Sequence, residues 1–191
     1  MNTDRGRSSV PTLTLKIANS GLARRPSGDR RRTFNDPFTL KEAAGAFLSD
    51  ELFAHVSQRR DLSVAISSNT LSRLTAWRGA LCKLLDAIVL GVKPNPADLE
   101  IINSVARRVR RVKCLTSTMS VEETVLTEDP VARLSALCID ELSRCDYRRL
   151  KKCARQECAM YFYDLTRSRS ARWHAEDPCG WRSRDERRRS V

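Results

Sequence analysis

Three cysteines and one histidine near the carboxyl end constrain this sequence more than any other feature. They follow the spacing C-x4-C-x15-H-x4-C, at Cys153, Cys158, His174 and Cys179. Structural zinc takes four Cys or His ligands at tetrahedral corners, and two close pairs joined by a longer loop can supply them. The chain has only two histidines, and one of them fills the fourth place of the pattern. The spacing therefore predicts one structural zinc ion held by these four side chains, against the alternatives of a chance grouping or simple thiol oxidation.

The remaining cysteines are scattered along the chain, so their role depends on whether the protein lies in a reducing or an oxidising compartment. The sequence has no apolar run near the roughly 20 residues that span a bilayer, and its amino end lacks the apolar core of a secretory signal. We therefore expect no membrane partner and a location in the reducing cytoplasm, where cysteines serve as core thiols or metal ligands more often than as disulfides. Cys138 and Cys145 keep helical spacing and are predicted to be buried thiols. His55 lacks metal-ligand neighbours in the sequence and is predicted to be an ordinary residue.

The formal net charge of +12 is concentrated at the two ends of the sequence. Residues 1–33 carry eight Lys/Arg against two acidic residues, and residues 148–191 carry thirteen against six, so these segments are +6 and +7. Phosphate neutralisation supplies most non-specific affinity for nucleic acid, so the charge favours a DNA partner. Basic ends are also often solvated tails. The run RRVRRVK at 107–113 is predicted to be such a solvated face, with its cations at the carboxyl end of a helix.

Polar caps and apolar spacing predict helices through the middle of the chain. The clearest covers residues 71–88, where apolar residues recur at three- and four-residue steps and Gly91 supplies the stop. Further helices are expected to begin at three polar caps: Thr39 with Glu42, Asn95 with Pro96, and Asp129 with Pro130. The apolar face expected for the first of these comprises Leu40, Ala43, Ala44, Phe47 and Leu48.

Three segments favour extended chain. Residues 112–126, rich in Val and Thr around a polar break, predict a β-hairpin. Apolar and polar residues alternate over 13–20, which suits a short strand or an extended entry into a helix. The aromatic run at 160–163 predicts a short strand packed over the two turns that carry the predicted zinc ligands. Trp173 and Trp181 are expected to shield the metal from water, with stacking on nucleic-acid bases as the alternative.

The carboxyl-terminal segment, residues 150–189, resembles the CGNR zinc finger. That family's pattern runs C-x4-C, an aromatic stretch, a Ser/Arg-rich loop, W-C-x4-C-G-N-R and a basic helix. The matching pieces here are Cys153, Cys158, the stretch YFYDLTRSRSARW, His174 and CGWR at 179–182. This sequence has His174 in the place of the family's third cysteine, which still suits zinc because imidazole is a good ligand. It has Trp181 in the place of the family's asparagine.

A second resemblance lies upstream. LTLKIANS at residues 13–20 is similar to the L-x-L-x-F-x-N-T stretch that opens the ABATE domain of this family, with Asn19 at the asparagine position. The order helix, helix, hairpin, helix between residues 70 and 146 is similar as well. The resemblance implies a mainly α (α+β) fold in two domains. Its parts are an ABATE-like helical domain over residues 1–146, with a small β-hairpin and a flexible basic loop at 26–33, and a CGNR-like zinc finger with a basic tail over 148–191.

For function, the resemblance implies a DNA-binding protein of the kind described as bacterial stress-induced transcription regulators, with a helical domain of unknown ligand. The residues expected to contact phosphates are Arg167, Arg169, Arg172, Arg182, Arg184, Arg187, Arg188 and Arg189. The alternative is a structural zinc module for protein or RNA interaction, without sequence-specific DNA binding. A small-molecule or protein ligand of the helical domain and a homodimer are both compatible with the sequence.

An enzyme is not expected. Catalytic zinc keeps an open position for water, whereas four protein ligands close the site. Glu176 and Asp177, between His174 and Cys179, could mimic a catalytic base, but a solvated turn is the favoured interpretation. The sequence has no Gly-rich phosphate loop, nucleophile elbow or paired-carboxylate motif.

Overall fold

The computed structural model describes residues 9–21, 36–53, 66–125, 127–155 and 157–189. Within them the chain is mainly helical with two small antiparallel sheets. In chain order the elements are α1 Thr12–Ser20, α2 Lys41–Phe53, α3 Ser68–Leu90, α4 Pro96–Ala106, β1 Arg111–Leu115, β2 Val121–Val125, α5 Pro130–Arg144, β3 Leu150–Lys152, β4 Tyr161–Tyr163 and α6 Trp181–Arg189. This confirms the predicted mainly α (α+β) class. The loop predicted at 26–33 and the residue His55 lie outside the described residues.

Helix α3 is the centre of the fold, as its apolar pattern predicted. It begins at Ser67, whose hydroxyl accepts from the Thr70 amide at 3.1 Å, and ends at Gly91 in the left-handed conformation with φ +66°. Its fully buried side chains are Leu74, Trp77, Leu81 and Leu85. The Trp77 indole N–H donates to the Ser135 hydroxyl at 2.9 Å, which ties α3 to α5. The core therefore forms where α3 meets α4 and α5.

The caps predicted for α4 and α5 are present. The Asn95 side chain accepts from the Ala97 amide at 2.9 Å, and the Asp129 carboxylate accepts from the Val131 amide at 3.1 Å. Cys138 is buried in α5, and burial raises the pKa of its thiol to about 12. A thiol that stays protonated in the core fits the predicted structural role.

Helix α2 is preceded by a short 3-10 turn, Pro37–Thr39. The predicted cap residue Thr39 lies in this turn, where its hydroxyl donates to the Asp36 carbonyl at 2.8 Å. The predicted apolar face is confirmed for Ala44 and Leu48, which are fully buried, but Leu40 is 61% exposed and does not belong to it. Asp36, directly before the 3-10 turn, forms a two-point ion pair with Arg78 of α3, at 2.6 Å for each contact.

The segment at 13–20 is a helix and not the short strand suggested by its alternating pattern. The helix is stabilised by a residue far along the chain. The Glu141 carboxylate of α5 accepts hydrogen bonds from the amides of Leu13 and Thr14, at 3.0 and 2.8 Å. Those amides are the unpaired donors of a first helical turn, so Glu141 stabilises the helix from outside it. The buried residues are Thr14, Ile17 and Ala18, at helical rather than alternating spacing.

The β1–β2 hairpin is confirmed, with Arg111 opposite Val125 and Leu115 opposite Val121. Its first strand is exposed along its length. The basic run at 107–113 engages acidic neighbours: Arg107 pairs with Glu100 at 2.7 Å and Arg111 with Asp140 at 3.1 Å. Among the described residues, no helix is both long and apolar enough to cross a bilayer.

Candidate metal centre and its surroundings

The hairpin of β3 and β4 positions the first two predicted ligands. Lys152 pairs with Tyr161 in its register, and the Cys153 amide continues the ladder by donating to the Met160 carbonyl at 2.9 Å. The Cys158 amide donates to the Arg155 carbonyl at 3.0 Å, which closes the turn between the strands. Both thiols are therefore fixed by backbone hydrogen bonds of one short hairpin.

The second pair is brought alongside by a backbone contact between the two halves of the segment. The Ala154 amide donates to the Arg172 carbonyl at 2.8 Å, which places the chain before His174 next to the first turn. A π-type turn over Glu176–Gly180 then carries Cys179, and α6 begins directly after it. His174 thus lies just before the turn that carries Cys179, and this turn is held between the hairpin and a helix.

The ligand atoms of Cys153, Cys158, His174 and Cys179 all lie within 4.8 Å of one another. The Cys158 Sγ atom lies 3.4 Å from His174 Nδ1. Tetrahedral zinc, with bonds of about 2.3 Å to sulfur and 2.0 Å to nitrogen, separates its ligand atoms by about 3.5–3.8 Å. Cys153 and Cys179 are buried, whereas Cys158 and His174 are half-buried. The four side chains therefore fit one structural zinc ion.

Zinc binding at these four groups is coupled to the release of protons. Burial and the neighbouring thiols raise the pKa of Cys179 to about 12, and burial also raises the pKa of Cys158. Burial lowers the pKa of His174, so its ring is held neutral, as a metal ligand must be. Zinc binds thiolates, so binding would release the thiol protons.

Three thiols and one imidazole that converge on one point define a zinc-binding module of the closed, four-ligand kind. The family model of the CGNR zinc finger matches residues 149–190, a segment that contains all four groups. A search of curated proteins finds no match for the chain. The ABATE-like domain and the division at residues 146–148 stay predictions.

The two tryptophans near the metal centre differ in their surroundings. Trp173 is half-buried beside His174, and the guanidinium groups of Arg172 and Arg184 lie 5.5 and 5.6 Å from its ring centroid. Trp181, the first residue of α6, is 58% exposed. Most of the surface of Trp181 therefore faces solvent, and its expected shielding of the metal stays a prediction.

A buried arginine links the first metal turn to α6. Arg155 is only 5% exposed, and its Nη2 donates to Glu186 of α6 at 3.1 Å. Its Nε lies 3.0 Å from a carboxylate oxygen of Glu157. In the sequence Arg155 resembles the other basic residues, because nothing local marks an arginine that will be buried.

The Ser/Arg-rich loop after β4 is organised around the buried carboxylate of Asp164. This group accepts from Lys151 Nζ at 2.7 Å and from the Thr166 hydroxyl at 2.6 Å, and it also accepts from the Ala171 amide at 2.9 Å. Burial acts to raise the pKa of Asp164, but these donors outweigh it and hold the pKa well below its usual range. The loop is thus tied to β3 at both of its ends.

The zinc-finger segment packs against the helices through one strand. Leu150 and Tyr161 belong to the same hydrophobic cluster as the buried residues of α3. The Tyr161 hydroxyl donates to Asp86 of α3 at 2.8 Å, and Lys152 pairs with the same carboxylate at 2.7 Å. Burial and the Asp86 charge raise the pKa of Tyr161. The aromatic run predicted this strand over the turns that carry the metal ligands, but nothing in the sequence indicated its contact with α3.

The predicted phosphate-contacting arginines lie on two parts of the segment. Arg167, Arg169 and Arg172 lie on the loop, and the other five lie on α6. Three of them have acidic partners: Arg169 with Asp146 at 3.5 Å, Arg184 with Glu176, and Arg189 with Asp185 at 2.9 Å. Arg167, Arg187 and Arg188 are exposed without an acidic partner among the described residues. Their contact with DNA stays a prediction.

Proposed function

We propose that this protein binds DNA through the zinc-finger segment at 149–190 and acts as a transcription regulator. The observation that carries the proposal is the presence of three exposed, unpaired cations, Arg167, Arg187 and Arg188, on the same segment as the metal centre. Zinc would fix the turn that leads into α6, and the Asp164 network orders the loop that carries Arg167. Cations held on ordered backbone can meet phosphates at little further entropic cost.

The proposal predicts a salt-dependent affinity that depends on zinc. Each phosphate that a protein neutralises in B-form DNA adds about −0.9 to the slope of log K against log salt concentration. A triple substitution, Arg167→Gln, Arg187→Gln and Arg188→Gln, should therefore weaken binding to a mixed-sequence duplex and reduce the slope by about 2–3. Chelation of the metal should abolish binding, because the site would no longer hold the turn before α6.

Fluorescence polarisation of a labelled duplex, over a series of salt concentrations, measures both quantities. The matched control is Arg107→Gln, Arg110→Gln and Lys113→Gln, which removes the same charge from the exposed segment after α4 and from β1. We expect the control to keep the slope of the wild type. An equal loss of DNA affinity and of salt slope in the two triple variants would exclude a specific role for the finger. The absence of DNA binding by the zinc-loaded wild type would exclude it as well.

We also propose that the zinc is structural and that the protein is not an enzyme. Four protein ligands fill a tetrahedral shell and leave no position for a reacting water. Glu176, which could mimic a catalytic base, forms an ion pair with Arg184 on α6. These features support a metal that holds the segment together rather than one that activates a substrate.

A second candidate function is a structural zinc module that serves a protein or RNA partner. The packing of Tyr161 and Leu150 into the helical core favours it, because the metal then stabilises more than the finger itself. Under this alternative, chelation would lower the thermal midpoint of the whole chain, while the zinc-loaded protein would show no affinity for DNA at any salt concentration. Recovery of RNA or a protein partner by the zinc-loaded chain would then identify the target class.

A further inference from the structure

Trp181 is an unusually exposed aromatic residue for its position. It is the first residue of α6, directly after the turn that carries Cys179, and 58% of its surface is exposed. The other tryptophans are fully buried, in the case of Trp77, or half-buried, in the case of Trp173. Tryptophan gains more from burial than almost any other side chain. An indole left open beside a metal centre is therefore suited to contact a partner.

The geometry of α6 shows which side of the helix carries Trp181. At 3.6 residues per turn, residues 181, 184 and 188 share one face, and residue 186 lies on the opposite side. Glu186 accepts a hydrogen bond from the buried Arg155, so the side of α6 that carries Glu186 faces the finger. Trp181 and Arg188 lie on the other side of α6, and both are exposed.

Arg184 lies between them and extends the same surface. It pairs with Glu176, and its guanidinium lies 5.6 Å from the ring centroid of Trp173, with the guanidinium of Arg172 at 5.5 Å from the same centroid. The exposed surface of Trp181, Arg184 and Arg188 therefore continues onto a second aromatic ring flanked by cations. We call these three residues the α6 stripe.

We propose that the indole of Trp181 stacks on a nucleobase of the bound DNA while Arg188 contacts a phosphate of the same strand. This inference rests on the proposed function. Every base presents a π-face, so an open aromatic ring flanked by cations suits an unstacked base next to phosphates. Along the axis of α6, seven residues at 1.5 Å each separate Trp181 from Arg188 by about 10 Å, which corresponds to about three base steps of a B-form strand.

The two ends of the α6 stripe would therefore contribute to DNA affinity in different ways. Trp181 would add affinity that does not depend on salt, because it neutralises no phosphate. Arg188 would add the salt-dependent part. An acidic peptide would use the arginines but would give the indole no flat ring to cover, so the stripe suits a nucleic acid better than an acidic protein segment.

The test compares Trp181→Ala with Trp181→Phe in the full zinc-loaded chain. Stacking on one base predicts that Trp181→Ala weakens binding of a labelled oligonucleotide by about 5- to 150-fold with an unchanged salt slope. Trp181→Phe keeps an aromatic ring and should retain most of the affinity. Arg188→Gln should reduce the slope by about one. The matched control is Leu165→Ala, which removes an apolar side chain that is 74% exposed on the loop outside the stripe, and it should bind like the wild type.

A measurement on the wild type keeps the inference testable if Trp181→Ala folds poorly. Trp181 is the exposed tryptophan, so acrylamide should quench part of the intrinsic fluorescence, and saturating DNA should protect that part. Single-stranded and duplex probes with 2-aminopurine in place of one adenine distinguish a base that is already unpaired from one that Trp181 displaces.

The possible outcomes separate the two proposals. If the zinc-loaded wild type binds no DNA, the proposed function fails. If it binds and Trp181→Ala binds equally well, or if DNA leaves acrylamide quenching unchanged, the proposed function stands and the stacking role is overturned. A loss of affinity in Trp181→Ala with full zinc content and an unchanged salt slope supports it.

Discussion

Asn19 on α1 makes hydrogen bonds to both backbone polar groups of Tyr161 on β4. Its Nδ2 donates to the Tyr161 carbonyl, and its Oδ1 accepts from the Tyr161 amide, each at 2.8 Å. A side-chain amide used in this way replaces the neighbouring strand that an edge strand lacks. The asparagine that the sequence resemblance singled out therefore joins the first described helix to the zinc-finger segment.

Removal of this contact should destabilise the protein. Asn19→Ala leaves a buried amide and a buried carbonyl of Tyr161 without a partner, at a cost of about 1–3 kcal/mol for each unpaired group and about 2–6 kcal/mol in total. Urea unfolding monitored by circular dichroism measures the free energy of unfolding. Asn103→Ala, at an exposed asparagine of α4, is the matched control and should change it by less than about 0.5 kcal/mol. Equal stability of Asn19→Ala and the wild type would show that the contact contributes nothing.

Loss of the Asp164 charge should destabilise the finger in a pH-dependent way. The folded pKa of Asp164 lies below its unfolded value, so its contribution is present above an unfolded pKa of about 3.9. This contribution is lost as the pH falls from there toward the folded pKa. At pH 7, Asp164→Asn should cost about 2–4 kcal/mol, because Lys151 loses its buried partner.

Thermal unfolding from pH 7 down to pH 3 measures this difference. The difference in thermal midpoint between the wild type and Asp164→Asn should become smaller below about pH 4. Asp140→Asn, which loses only a part-exposed pair with Arg111, should cost less than about 1 kcal/mol. A gap that stays constant across the acid range would mean that the charge of Asp164 is not the stabilising feature.

The metal centre should accept a thiolate at the histidine position but tolerate no loss of a ligand. His174→Cys, the residue of the CGNR pattern, should bind one zinc per chain because Cys₄ and Cys₃His sites are equivalent in coordination. Cys179→Ser should lose stoichiometric zinc. Cys145→Ser, at a half-buried thiol outside the cluster, is the matched control and should keep it.

Zinc stoichiometry of dialysed protein, measured by atomic emission, distinguishes these variants. Full zinc content in Cys179→Ser would remove that thiol from the ligand set. Loss of zinc from His174→Cys with an intact fold would mean that the site requires the imidazole, in contrast to the family pattern.

Features of the fold that depend on nearby residues were predictable from the sequence. Gly91 ends α3 because glycine adopts a left-handed conformation readily, and Asp129 begins α5 because its side chain reaches an amide two residues on. The metal ligands were predictable for a similar reason, since zinc restricts both the type and the spacing of its ligands.

Features that depend on distant partners were not predictable. The alternating pattern of residues 13–20 suggested a strand, but Glu141, far along the chain, stabilises a helix. Arg155 and Asp164 read as ordinary charged residues, and only the folded structure shows that both are buried and paired. The role of Tyr161 also required its partner Asp86, which lies 75 positions earlier.

The contact between Asn19 and Tyr161 joins residues 142 positions apart. A ribosome adds about 5–20 residues per second, so Tyr161 is made about 7–28 s after Asn19. Until then the nine-residue α1 has neither this partner nor, for most of that time, the Glu141 cap, and a helix of that length is unstable alone in water. The first described helix to leave the ribosome is therefore among the last to become stable, and the newborn chain exposes its apolar face throughout synthesis of the bundle.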